Sequence, residues 1–123
     1  MQRFKELFEA YGADYESTME RFMGSEEIFK EFLDMLFEDE NLQRLGSALA
    51  EEDLPAAFEA AHTLKGVVGN MGLVPLYEAV CAIVEPLRKE EPCRDYPVLY
   101  KKILAEFQAV AGLRKHLTEE EQA

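Results

Sequence analysis

His62, with Lys65 three residues on and glycines at 66, 69 and 72, is the group of residues in this chain whose types and spacing could do chemistry. Imidazole titrates near pH 6.5, so a solvent-facing ring keeps a lone pair for nucleophilic attack at neutral pH. An ammonium at i+3 on a helix can stand beside that ring. It would offset part of the roughly two negative charges that a phosphoryl group brings. Each interior glycine costs a helix about 1 kcal/mol relative to alanine, so glycines spaced by threes on or near the histidine face predict a surface kept bare for an approaching molecule. The chemistry favoured is acceptance and release of a phosphoryl group. Another molecule must supply the metal and the electrophile, because the chain has no Walker A loop, no kinase glycine loop and no dense acidic cluster beside His62.

The helix that must carry these residues opens with Asp53 as N-cap and Pro55 in its first turn, where a missing amide donor does no harm, and is expected to run to about Met71. At about 100° per residue, Leu54, Ala57, Phe58, Ala61, Leu64 and Val68 gather on a core side. His62 falls on the flank, facing solvent. Pro55, Gly66 and Gly69 share its stripe, with Lys65 and Phe58 at one edge and Glu59 at the other. Gly66 and Gly69 therefore read as clearance for a docking protein, whereas Gly72 lies nearer the core edge and belongs to the helix end.

The remaining periods are helical too, with no sustained strand alternation and no hairpin turn signal. Phe4, Phe8 and Tyr11 mark a short helix ending at Gly12, and Tyr15, Met19 and Phe22 a second before Gly24. Ser25 is a good N-cap, followed by Glu26 and Glu27 where the helix dipole favours acids. From there Ile28, Met35, Leu42 and Leu49 recur at sevens, with Phe32, Leu36 and Leu45 on the same stripe. That stripe holds its phase across the polar run Glu38 to Asn41, which predicts one long helix over about 25–51. Pro75 opens another helix with Leu76, Tyr77, Val80, Ile83, Val84 and Leu87 as its apolar face and Pro86 expected to kink or shorten it. A polar loop over 88–97 and a last helix to about Leu117 follow, leaving 118–123 as a charged, fraying tail. The fold class expected is all-α: an antiparallel up-down four-helix bundle with short additional N-terminal helices, residues 1–13 forming an extension.

At 123 residues the chain fits one domain spanning 1–123, and 48% hydrophobic with 31% charged residues is the composition of a soluble globular protein. No apolar stretch approaches the length of a membrane span, and the start lacks the continuous apolar segment of a signal peptide, so the cytoplasm is the expected location. A net charge of −12 repels phosphate backbones and anionic lipid, so neither nucleic acid nor a membrane is an expected partner. Cys81 and Cys93 are isolated thiols, and Cys81 on the apolar stripe reads as a small buried hydrophobe. His116, taken to lie near a helix C-terminus, reads as a favourable dipole contact.

The run Ala61-His62-Thr63-Leu64-Lys65-Gly66, followed by Gly69-Asn70-Met71-Gly72, resembles the signature of histidine-containing phosphotransfer (HPt) domains, modules of multistep two-component signalling. The similarity extends over roughly residues 14–117. It implies that His62 is the phosphoacceptor, Lys65 its electrostatic partner, and Gly66 the small position that lets a response-regulator receiver domain dock. It further implies a monomer with receiver domains and a hybrid sensor histidine kinase as partners, no cofactor or metal of its own, Mg²⁺ held by the receiver, and no ATP hydrolysis. Gly69, Phe58 and Glu59 complete the expected docking set.

Two other readings of the same residues fail. Glu59-x-x-His62 has the spacing of di-iron bundle ligands, but a second pair is missing, since Leu113 stands three before His116. Gly66-Val67-Val68-Gly69 matches a GxxG loop, which needs a mixed sheet and a basic surface that this chain lacks. The alternative that stands is a helical interaction module that binds receivers or other signalling proteins without being phosphorylated.

Overall fold

The computed structural model describes residues 3–92 and 95–122, with side chains to residue 117; Cys93 and Arg94 of the expected loop lie outside the described residues. The described residues form helices and turns, with no strand among them. The helices are α1 (Arg3–Tyr11), α2 (Tyr15–Arg21), α3 (Glu26–Glu38), α4 (Asn41–Ala50), α5 (Leu54–Asn70), α6 (Val74–Arg88) and α7 (Tyr96–Gln122).

Helices α4 to α7 pack in chain order, α4 on α5, α5 on α6 and α6 on α7, while α1 lies against α7 and α2. One continuous core joins them, including Phe8, Phe29, Leu33, Leu45, Leu64 and Ile83. At the N-terminal end, Phe29 meets Phe8 and Phe22 edge to face, each at 5.2 Å between ring centroids. Such pairs add about 0.5–1.5 kcal/mol beyond their buried area. The Tyr11 hydroxyl accepts the Leu76 N–H at 3.3 Å. It thereby satisfies one of the unpaired amides at the start of α6, whose own N-cap Leu73 has no side chain to do so.

The expected long helix over 25–51 is two helices. Ser25 does cap α3, accepting the Ile28 N–H at 3.1 Å, but α3 ends at Glu38. Asp39 is extended (ψ 136°) and its carboxylate accepts the Asn41 N–H at 2.7 Å, supplying the amide at the start of α4 with a partner. A short acid that hydrogen-bonds its own neighbouring backbone competes with the helical ladder, and here it wins. The break also shifts the buried face: Phe29, Leu33 and Leu36 point inward, while Phe32 (42% exposed) and Met35 (59%), expected in the core stripe, stand on the surface.

Three boundaries nearer the C-terminus also differ. Pro86 does not end α6, which continues to Arg88; the proline lies in the last turn and the chain leaves the helix with Glu90 at φ 52°. Tyr96 and Pro97, assigned to the loop, open α7, where a proline's missing N–H is harmless. Helix α7 then runs to Gln122 rather than stopping near Leu117. His116 consequently lies more than a turn from the helix end, not in the last turn where it was expected. Cys81 is half-buried, not sealed in the core.

Candidate functional site

α5 forms as its sequence dictates. Asp53 accepts the Ala56 N–H at 3.2 Å, and Pro55 sits in the first turn. The helix closes on Gly72, whose N–H reaches the Gly69 carbonyl at 3.1 Å while Leu73 N–H reaches Val68 at 3.1 Å. This pair of bonds needs a left-handed residue, and Gly72 has φ 70°. A side chain there would also collide with Thr18. Gly72 is thus a helix stop, as its place near the core edge predicts.

Ala57, Ala61, Leu64 and Val68 are buried, which fixes the rotation of α5 and leaves His62 exposed midway along it. Side chains on a helix lean toward its N-terminus, so the imidazole lies over the residue one turn earlier. That residue is Phe58, half-buried, with its ring stacked on the imidazole at 5.3 Å between centroids and 29° between planes. The Arg88 guanidinium, from the last turn of α6, lies over the Phe58 ring at 5.3 Å.

The next turn of α5 is bare. A Cβ at Gly66 would meet no atom of the described residues within 4 Å. Lys65 is half-buried beside it and shares with His62, Gly66 and Tyr77 a shallow groove of about 380 Å³. Gly69 lines the same groove but differs from Gly66 in the space around it. A Cβ at 69 would come within 2.8 Å of Tyr77 Cε1, because the Tyr77 ring already covers that turn. The small residue serves contact between α5 and α6. Hydrogen bonding to the Cys81 thiol, one turn further along α6, holds the Tyr77 phenol above its ordinary pKa.

Two further grooves border the histidine face. One, of about 630 Å³ and largely apolar, is lined by Phe32 and Met35 of α3, by Gly66 and Val67 of α5 and by Met71 just beyond it. The other, about 820 Å³ between α4 and α5, reaches His62 past Glu51, Asp53 and Glu59. Of the residues expected at the site, His62, Lys65, Gly66 and Gly69 line one groove, Phe58 stacks on the imidazole and Glu59 borders the neighbouring groove; at Gly69 the Tyr77 ring leaves no room for a side chain. Sequence reasoning missed Arg88, Tyr77, Phe32 and Met35. For Phe32 and Met35 a signal existed: α3 carries more apolar residues than one buried stripe can hold. Arg88 and Tyr77 gave none, since their placement depends on how α6 crosses α5.

The described residues thus form a helical domain that presents an exposed imidazole beside a side-chain-free turn. The family model of the Hpt domain matches residues 27–119, about three quarters of the chain, and the protein belongs to that family. Hpt domains act in phosphorelays of two-component signalling, as carriers that interact with receiver domains and kinases. Among solved structures, histidine-containing phosphotransfer protein B (HptB) from Pseudomonas aeruginosa PAO1 is similar, with 28% identity and a TM-score of 0.78 over 88% of this chain and 95% of that one. No curated protein matches the chain. Among the described residues no helix is long and apolar enough to cross a membrane.

Proposed function

We propose that His62 accepts a phosphoryl group from a receiver-domain aspartate and passes it to another receiver. A ring nitrogen of His62 attacks phosphorus, the N–P bond forms, and the P–O bond to the aspartate breaks with its electron pair returning to the carboxylate. The imidazole carries the positive charge until a second receiver reverses the step. Lys65 offsets the phosphoryl charge. The observation that carries this reading is the exposed imidazole next to the open turn at Gly66, with the apolar groove of Phe32, Met35 and Val67 running up to it. That groove offers a receiver an apolar seat, and Glu59 lies on the flank of the contact.

In this reading the chain is a cytoplasmic, monomeric carrier with no kinase or ATPase site and no cofactor or metal of its own, the receiver holding Mg²⁺, and with a hybrid sensor histidine kinase upstream. We read the scaffold as an antiparallel up-down four-helix bundle in which α3 and α4 together occupy the place of one helix, followed by α5, α6 and α7. The test is labelling by a phosphorylated receiver domain. The wild type should acquire phosphate that is acid-labile and base-stable, and His62→Gln should acquire none. A variant labelled as well as the wild type, or a wild type that binds receivers without being labelled, would refute the assignment.

A further inference from the structure

We infer that Phe58 is a positioning residue for His62: its ring, backed by Arg88, fixes the imidazole in the orientation from which it attacks phosphorus. The inference rests on the phosphocarrier reading. Phe58 is one helical turn before His62, and the two rings stack at 5.3 Å with 29° between planes, within the range where aromatic pairs attract. An exposed histidine has two side-chain torsions to lose before its nitrogen can line up with an incoming phosphorus. Order supplied in advance by a stacked neighbour lowers that entropic cost in the transition state. The turn after His62 carries Gly66 and offers the ring no side chain there, while Phe58 stacks on it from the turn before.

The Phe58 ring is itself restrained. The Arg88 guanidinium lies 5.3 Å from its centroid, and Arg88 Nε is 3.6 Å from Glu85 on the preceding turn of α6. A chain of contacts therefore runs from α6 through Arg88 and Phe58 to the imidazole. The stack also suits the electronics of the step. When the nitrogen attacks phosphorus the imidazole becomes cationic, and the negative face of an aromatic ring attracts a cation. This role differs from docking. A half-buried ring with an imidazole against it and a guanidinium over it orders the site, whereas a docking side chain has to offer its surface to the partner.

The experiment is single-turnover transfer from a phosphorylated receiver, with the rate followed against receiver concentration, for the wild type, Phe58→Leu, Phe58→Met and Phe58→Tyr. Proton NMR of the His62 ring is recorded on the same samples. Phe58→Leu and Phe58→Met should lower the maximal rate roughly threefold to tenfold at an unchanged half-saturating receiver concentration. Phe58→Tyr, which keeps the ring, should restore it. The His62 ring-proton shifts should move toward those of an unstacked histidine in the Leu and Met variants and stay in place in the Tyr variant. A rise in half-saturating concentration with the maximal rate intact would make Phe58 a docking residue and overturn the inference, as would unchanged rates and shifts. Phe58→Met, unbranched where Leu is branched and an equally good helix former, covers the case in which the Leu variant packs badly. A wild type that takes no label would refute the carrier assignment instead, while the ring-proton shifts would still decide whether Phe58 orders the imidazole.

Discussion

Alanine at position 66 should stabilise the protein and alanine at position 69 should not, although both replace a glycine in the same helix. At Gly66 a Cβ meets no described atom within 4 Å, so only backbone propensity changes. The helix should gain about 0.8–1 kcal/mol, which for a domain of this size raises the melting temperature by about 3–5 °C. At Gly69 the same gain is opposed by Tyr77, whose Cε1 and Cδ1 would lie 2.8 and 3.0 Å from the new carbon. Displacing a packed ring costs about 1–3 kcal/mol, so Gly69→Ala should be neutral or destabilising by up to about 2 kcal/mol. Receiver binding should sort the positions differently. Gly66→Leu should stay folded yet weaken docking about tenfold or more, equivalent to about 1.4 kcal/mol, whereas Gly69→Ala should bind as the wild type does. Thermal melts followed by circular dichroism and receiver titrations would measure both quantities on the same samples. A less stable Gly66→Ala, or a Gly66→Leu with undiminished receiver affinity, would refute the reasoning.

Lys65→Ala should slow phosphotransfer severalfold and leave stability within about 0.5 kcal/mol; a variant unfolded by circular dichroism would show Lys65 to be structural instead. The pKa values of Tyr11 and Tyr15 are pushed up to about 12, Tyr11 by burial and Tyr15 by its hydrogen bond to Glu26 at 2.5 Å. A pKa raised above the unfolded value of about 10 means that the fold favours the protonated phenol, so this contribution is fully present below pH 10 and is lost as pH rises toward 12. Denaturant melts across that window, with phenolate absorbance followed in parallel on the wild type and on Tyr11→Phe and Tyr15→Phe, should show stability falling as these two tyrosines ionise; ionisation of either near pH 10 in the folded protein would contradict it.

The site on α5 was legible because its determinants are local. The cap at Asp53, the apolar stripe and the glycine stop are all encoded within the helix itself, and together they fix where His62 points. What surrounds the histidine was less legible, for two physical reasons. Whether Gly69 is open or covered depends on Tyr77, a residue of another helix, and no period within α5 reports it. The phase of α3 was misread because a repeat of seven held across Asp39, where one carboxylate–amide bond interrupts the ladder. With the interruption, Phe32 and Met35 leave the core and join the face of His62.

That interruption divides the candidate binding face between two supports. No shared backbone ladder joins α3 to α4, so opening of one is not passed directly to the other, and local stability can differ between them. His62 is carried by α5, which α4 and α6 hold on either side. Phe32 instead leans on Phe22 at 5.3 Å, and its helix is tied through Phe29 to Phe4 and Phe8 of α1 and through Asp34 to Arg114 of α7. α1, which lies before the residues matched to the family, holds Phe29 through its own rings and also caps α6 through Tyr11, so it bears on both supports. If Phe32 and Met35 seat a receiver as proposed, the N-terminal helix supports part of that seat through Phe29.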